Sequence, residues 1–409
     1  MGRIVSLSSR VRWVLVAMGL VVAVPAVIGV QQIASGGHSG ASPSAAHGFT
    51  VDVGTDSCGG GWPASPGTAV EAGRQTFHVH NTSVAGVEVQ LVEPSSGAVF
   101  LDVEGLGSGA AQTYEVRLPR GDYAFRCLPA DSDAVTGNVV HVTGATHVPD
   151  ATPGVVPVTR NDLTPAAKSY GTWIEGRLPV LLDDVRALAA DAHAGDLGAA
   201  RHDWLVGHVE YEQLGAAYGA FGDADTAIDG MPASGRTALD DPDLQGFHRI
   251  EALLWSGAPA DQVASAADDL VGSVQRLQQT FPTARVDPLE IGLRAHEILE
   301  NALRFEATGA SDAGSHSELA TIDANVAGTE QALDAVRGLL RSRYPELAAT
   351  DRAVATLRTD VEAQRHPDGT WTDLDALDRT DRERVDADLD DAVELLAPIA
   401  AICDPRRTS

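Results

Sequence analysis

LQGFHRIEALLW, residues 244–255, runs from a turn into an apolar helix. On a 3.6-residue period Ile250, Leu253 and Leu254 mark the face to be buried. His248 and Glu251 stand three apart at its edge, side by side. An imidazole and a carboxylate in that position are nitrogen and oxygen donors that Fe, Zn or Cu accept. Ferritin-like bundles hold metal with Glu-x-x-His at the same spacing, and here the order is reversed. A core histidine hydrogen-bonded to a neighbouring carboxylate gives the same letters, and spacing alone favours that plainer arrangement.

The surrounding text is helical. From residue 165 to 409 Ala, Leu, Asp, Glu and Arg dominate, with apolar residues at helical spacing. Short loops between such segments predict an all-α bundle, a fold that builds ligand and metal sites on facing helices. A second helix carries HVEYEQL, with His208 and Glu212 one turn apart. Glu210 and Glu212 point to different sides, so only Glu212 shares the face of Leu205 and His208 and is the candidate partner of His248. RAHEILEN offers His296 and Glu297, but Glu300 stands where a zinc-protease H-E-x-x-H needs its second histidine. Asp223, Asp225 and Asp229 in FGDADTAIDG lack the spacing of an EF-hand and read as a loop and helix cap, with Asp225 the one with a chance of reaching a metal.

Residues 49–146 are a different text. Seven short stretches, from FTVDVG to GNVVHVTG, alternate apolar and polar residues between Gly, Pro, Asn and Ser clusters, which predicts an all-β sandwich. Residues 147–164 are a Pro-rich linker. Cys127 ends the strand-like YAFRC, where a blue-copper domain keeps a ligand, but no His or Met follows it closely. Met1, Met18 and Met231 all lie outside this domain, so a blue-copper site is not expected. His78 and His80 read as ordinary strand histidines. Cys58 and Cys127 are open to pairing as a disulfide in an oxidising compartment, with Cys403 left over.

Residues 1–48 begin with Arg3, Arg10 and Arg12 ahead of an uncharged run from Trp13 to Val30. That pattern predicts a signal peptide or signal anchor plus a small polar linker, and an extracytoplasmic (periplasm or cell envelope) location for the rest. Lys plus Arg number 29 against 57 Asp plus Glu, a net charge of −28. Such a surface argues against nucleic acid as a partner.

Together, YEQLGAAYGAFGDADTAIDG, GFHRIEALLW, HEILENALR, GSHSELATIDANVAGTEQAL and HPDGTWTDLDAL resemble, in number and order, the imelysin-like family. The resemblance is closest to its EfeO iron-uptake subset, and it runs from about residue 50 to the end. It implies a multidomain chain, an all-β cupredoxin-like sandwich followed by an all-α imelysin-like bundle. It further implies an iron-binding component that supplies a membrane iron permease beside a haem peroxidase. His248 and Glu251 occupy the signature positions of the family's metal ligands. In the β domain the family pattern points to a second metal site at Cys58, Cys127 and Glu88, which a disulfide would deprive of its thiolates. Copper or zinc are alternatives to iron, and ferroxidase activity is open. An imelysin-like metallopeptidase is the rival reading, and an adhesion or structural module, with His248 and Glu251 as core filler, is a third.

Overall fold

A computed structural model describes residues 48–63, 68–130 and 132–406. The apolar run from Trp13 to Val30, and with it the expected export segment, lies outside the described residues. Among those described, no helix is long and apolar enough to cross a membrane.

The N-terminal part is β. Its strands are β1 (Phe49–Val53), β2 (Val70–Glu71), β3 (Gly73–Asn81), β4 (Val87–Val92), β5 (Val99–Leu106), β6 (Ala111–Leu118), β7 (Gly121–Pro129), β8 (Val135–Thr136) and β9 (Val140–Thr143). One sheet has the order β1-β3-β6 and the other β2-β9-β7-β4-β5, with β8 paired to β7. β1 runs parallel to β3, and β3 antiparallel to β6. Alternation sends Val51, Phe77, Val79 and Val116 from the first sheet into one core with Val89, Leu91, Phe125 and Val142 from the second. All seven expected strands are present. β2 and β8, two residues each, are too short to show a period.

The C-terminal part is helical: α1 (Arg160–Ala194), α2 (Leu197–Glu212), α3 (Tyr218–Phe221), α4 (Asp223–Asp229), α5 (Gly246–Ser256), α6 (Ala260–Thr280), α7 (Glu290–Arg304), α8 (Glu318–Leu340), α9 (Leu347–Glu362) and α10 (Arg379–Ile402). α1 packs along α2 and α6, α7 along α8 and α10, and α9 along α10. α1 starts inside the stretch expected as linker, because Thr159 and Asp162 form a capping box. The Asp162 N–H donates to Thr159 Oγ1 at 3.2 Å and the Thr159 N–H to Asp162 Oδ2 at 2.9 Å. The helix that carries HVEYEQL ends at Glu212, and a tight turn follows at Gly215–Ala217. FGDADTAIDG, expected as a loop and helix cap, forms the short helix α4, with Asp223 and Asp225 in its first turn where the helix dipole favours them. α9 escaped the sequence reading, although Leu347, Val354, Leu357 and Val361 line its buried face.

In the β domain Cys58 and Cys127 are joined as a disulfide. The proposed Cys58–Cys127–Glu88 ligand set is therefore not assembled, because neither sulfur is a thiolate. Strand alternation removes Glu88 as well. Cys127 is paired across the ladder with Val89 in the core, whereas Glu88 faces the other side, beside Gln90. There its carboxyl is pushed up by burial and by the charge of Asp102. His78 Nδ1 meets Thr113 Oγ1 at 2.7 Å, and His80 Nδ1 meets Asp52 Oδ1 at 3.3 Å, both on the exposed face of β3.

Candidate metal centre

Three helices converge on one point. α2 brings His208 and Glu212, α4 ends on Asp229, and α5 brings His248 and Glu251. Trp204 ties α2 to α5, its Nε1–H donating to the Phe247 carbonyl at 2.9 Å. One turn on, its ring stacks on His208 with centroids 4.9 Å apart. That holds His208 within 5.8 Å of the His248 ring. Gly246 starts α5 at φ 79°, and a Cβ there would lie 1.9 Å from the Ile228 carbonyl oxygen. Only glycine lets α5 approach so near the end of α4, and that contact sets Asp229 beside His248.

Asp229 Oδ1 lies 3.5 Å from His208 Nε2 and 3.8 Å from His248 Nε2. Two ligands of one ion, each at about 2.1 Å, span at most about 4.2 Å, so both separations fit a shared cation. Glu212 Oε1 is also 3.5 Å from His208 Nε2. The imidazoles and Asp229 are buried or nearly so, yet Asp229 Oδ1 and both ring nitrogens of His208 have no hydrogen-bond partner among the described residues. Buried polar atoms are rarely left so, and a bound ion is one of the standard explanations. Two imidazoles and a carboxylate are also a donor set associated with Fe(II).

Glu251 has one of its two oxygens already engaged. Its Oε1 accepts the N–H groups of Ala313 at 3.0 Å and Ser315 at 2.9 Å, while Oε2 faces His248 Nδ1 at 3.5 Å. His248 Nδ1 makes no hydrogen bond among the described residues, so Glu251 stands beside the ring as its nearest charge, while Nε2 is turned toward Asp229. Glu212 Oε2 is held by Asn325 Nδ2 at 2.6 Å, so Glu212 keeps one oxygen for the site.

Burial alone would lower the two imidazoles, but the carboxylates around them win. His208 is raised well above its usual value by Asp229 and Glu212, and His248 is raised by Asp229 and Glu251. Burial tends to raise Asp229 and Glu251, but both are held below the usual range by the imidazoles. Glu306, also on the cleft, is pushed up to about 8 by burial and by the charge of Glu212. The cleft is small, about 120 Å³, and is lined further by Trp204, Asp312, Ser315 and Glu318.

Of the residues singled out from sequence, His248, Glu251, Glu212 and His208 meet here. Glu210 points away, paired with Arg177. Asp225 accepts from the Tyr211 hydroxyl at 2.6 Å, and Asp229, one turn further, takes the place considered for it. His296 and Glu300 lie 3.8 Å apart on α7 and do not line the cleft. Asp229 and Glu306 were missed. A signal for Asp229 existed, since a carboxylate ending a helix opposes the helix dipole and needs another reason to be there.

The iron uptake system component EfeO of Escherichia coli is 25% identical to this chain over 334 residues, 81% of this chain and 86% of that protein. Its namesake in Yersinia pestis is 24% identical over 336 residues, with the same coverage. A solved chain from Parabacteroides distasonis, 13% identical, superposes with a TM-score of 0.43 over 60% of this chain and 96% of its own. The imelysin (Peptidase_M75) family model matches residues 166–399, over half of the sequence and nearly the whole helical part, and the chain belongs to that family.

Proposed function

We propose that this protein is the extracytoplasmic iron-binding component of an iron uptake system, capturing the ion at His208, Asp229 and His248 and passing it to a membrane permease. The observation that carries this is the cluster itself: three convergent donors in the helical domain, with Asp229 Oδ1 and the ring nitrogens of His208 left without a hydrogen-bond partner among the described residues. Glu212 completes the set and Glu251 aims His248. Iron is cargo here, so the site must release as well as bind, and half-occupied carboxylates such as Glu212 suit that. The relatives' names support the iron assignment, with copper or zinc as competing ions. The haem peroxidase partner, the export segment within residues 1–48 and a cupredoxin-like identity for the β domain at 49–146 belong to the same proposal. A ferroxidase step would need an electron acceptor such as oxygen.

The peptidase reading is weaker. The relatives that match this chain along most of their length are named as iron uptake components. The H-E-x-x-H pattern is also broken at Glu300.

Anaerobic titration with Fe(II) tests the proposal. His208→Ala, Asp229→Asn and His248→Ala should each weaken binding at least tenfold, on the order of the loss of one ligand. If all three bind as the parent does while melting at lower temperature, the cluster is packing and the assignment is wrong.

A further inference from the structure

The cleft has a second group of donors at its rim. Asp312, His316 and Glu318 each present a ligand atom, all within 4.8 Å of one another. His316 Nδ1 lies 3.5 Å from Asp312 Oδ2. Glu318 is 7% exposed, and its Oε2 is buried with no hydrogen-bond partner among the described residues. A carboxylate with a buried, unpartnered oxygen, standing within ligand distance of an imidazole and a second carboxylate, is the kind of group that a bound cation would satisfy. The loop is shaped to present the group. His316 sits at φ 55°, a left-handed conformation that a residue with a Cβ adopts at a cost of about 1 kcal/mol or more. The Asp312 Oδ1 atom holds it there by accepting the His316 N–H at 2.8 Å.

We propose that Asp312, His316 and Glu318 form a second divalent-cation site at the mouth of the cleft, an outer station for ions on their way to or from the buried centre. Asp312 and Glu318 line the cleft that also contains His208, Asp229 and His248, while His316 stands half-exposed at its edge. The two groups are also linked through the backbone. Glu251 accepts from Ala313 and Ser315, so the loop that carries the outer ligands is pinned by the carboxylate that orients His248. Between them Gly314, at φ 131°, comes so near α5 that a Cβ would lie 2.9 Å from Trp255 Cβ. One imidazole and two carboxylates, partly open to water, suit a borderline divalent ion bound less tightly than inside. That the ion is iron rests on the function proposed above; the presence of a second site does not.

The test is calorimetric titration of the metal-free full chain with Zn(II). The parent should take up two ions per chain, in a tighter and a weaker event. His316→Ala, which alters a half-exposed side chain, and Glu318→Gln should each weaken the second event at least tenfold and leave the first. His208→Ala should do the reverse. Metal-free melting temperatures report whether Glu318→Gln has disturbed the fold, and His316→Ala decides if it has. One ion per chain in the parent, or two unchanged events in His316→Ala, overturns the second site. If only His208→Ala loses an event, the buried centre stands and the outer station falls. If only His316→Ala does, the outer site stands and the function proposed above falls.

Discussion

Glu251 separates orientation from ligation, and two substitutions there have different expected results. Its Oε1 satisfies two backbone N–H groups and its Oε2 faces His248 Nδ1. Glu251→Ala leaves two part-buried N–H groups without this acceptor, and at about 1–3 kcal/mol for each that water does not reach, a loss of up to about 6 kcal/mol in stability is expected. Glu251→Gln keeps the acceptor for Ala313 and Ser315. Exchanging a charged acceptor for a neutral one costs about 1–2 kcal/mol. Its new amide N–H₂, however, now faces His248 Nδ1. That nitrogen must become an acceptor, so the ring is held as the neutral tautomer that keeps its one proton on Nε2, the atom turned toward Asp229. The metal must then displace that proton or break the new hydrogen bond. A 10- to 100-fold loss of affinity is expected, the usual effect of disturbing a ligand's support, equal to about 1.4–2.7 kcal/mol. Anaerobic Fe(II) titration gives the affinity and urea unfolding of the metal-free protein gives the stability. A Gln variant that binds as tightly as the parent would refute the orienting role. So would an Ala variant with parental stability.

Two further outcomes concern the cysteines. Replacing Cys58 and Cys127 by Ser opens a loop closed over a sequence separation of 69, which should cost the β domain about 4 kcal/mol in chemical unfolding. Fe(II) binding in the helical domain should not change, and Cu(II) should give the parent no intense blue thiolate band. Cys403 is fully buried, with its thiol pushed up to about 11 by burial. A disulfide-exchange reagent at mildly alkaline pH should find no thiol in the native chain and one per chain after denaturation.

The division into a β part and a helical part was legible because the two periods, 2.0 and 3.6, are each sustained over many residues. The site was legible only where its residues shared a helix. His248 with Glu251, and His208 with Glu212, are local pairs, and local spacing predicts their common face. The pairing of α2 with α5 depends on Trp204 reaching the Phe247 carbonyl, and no spacing announces that. Asp229 joins because Gly246 lets two backbones touch, a contact between residues 18 apart that reads in the sequence only as a glycine before a helix. The same limit explains Glu251. Its letters are those of a ligand, but two N–H groups from a loop some sixty residues later claim one oxygen. In the β half, the pairing of Val89 with Cys127 decided that Glu88 faces away, and register is a property of the sheet rather than of either strand.

The charges of the centre also predict how metal and protons compete. In the metal-free protein His208 and His248 are raised by their carboxylates despite burial, and Glu306 is raised to about 8 by burial and by Glu212. For a group whose folded value is raised, the stability it contributes is complete below its unfolded value and is lost as pH rises through the folded one. The unfolded value is near 6.5 for His and 4.3 for Glu, so between about pH 6.5 and 8 these groups all act in the same direction. The metal-free helical domain should become less stable as pH rises. Asp229 and Glu251, held low, act in the opposite sense, but their window closes below about pH 5 and does not interfere. A bound divalent ion expels the imidazole protons, so its affinity gains about 1.4 kcal/mol per pH unit for each proton released. For two protons released the gain is about 2.7 kcal/mol per unit. The stabilisation by saturating Zn(II), measured as the difference in melting temperature with and without metal, should therefore widen steadily from about pH 6 to about pH 8. A constant or shrinking difference would mean that the ion binds without displacing protons, and that His208 and His248 are not its ligands.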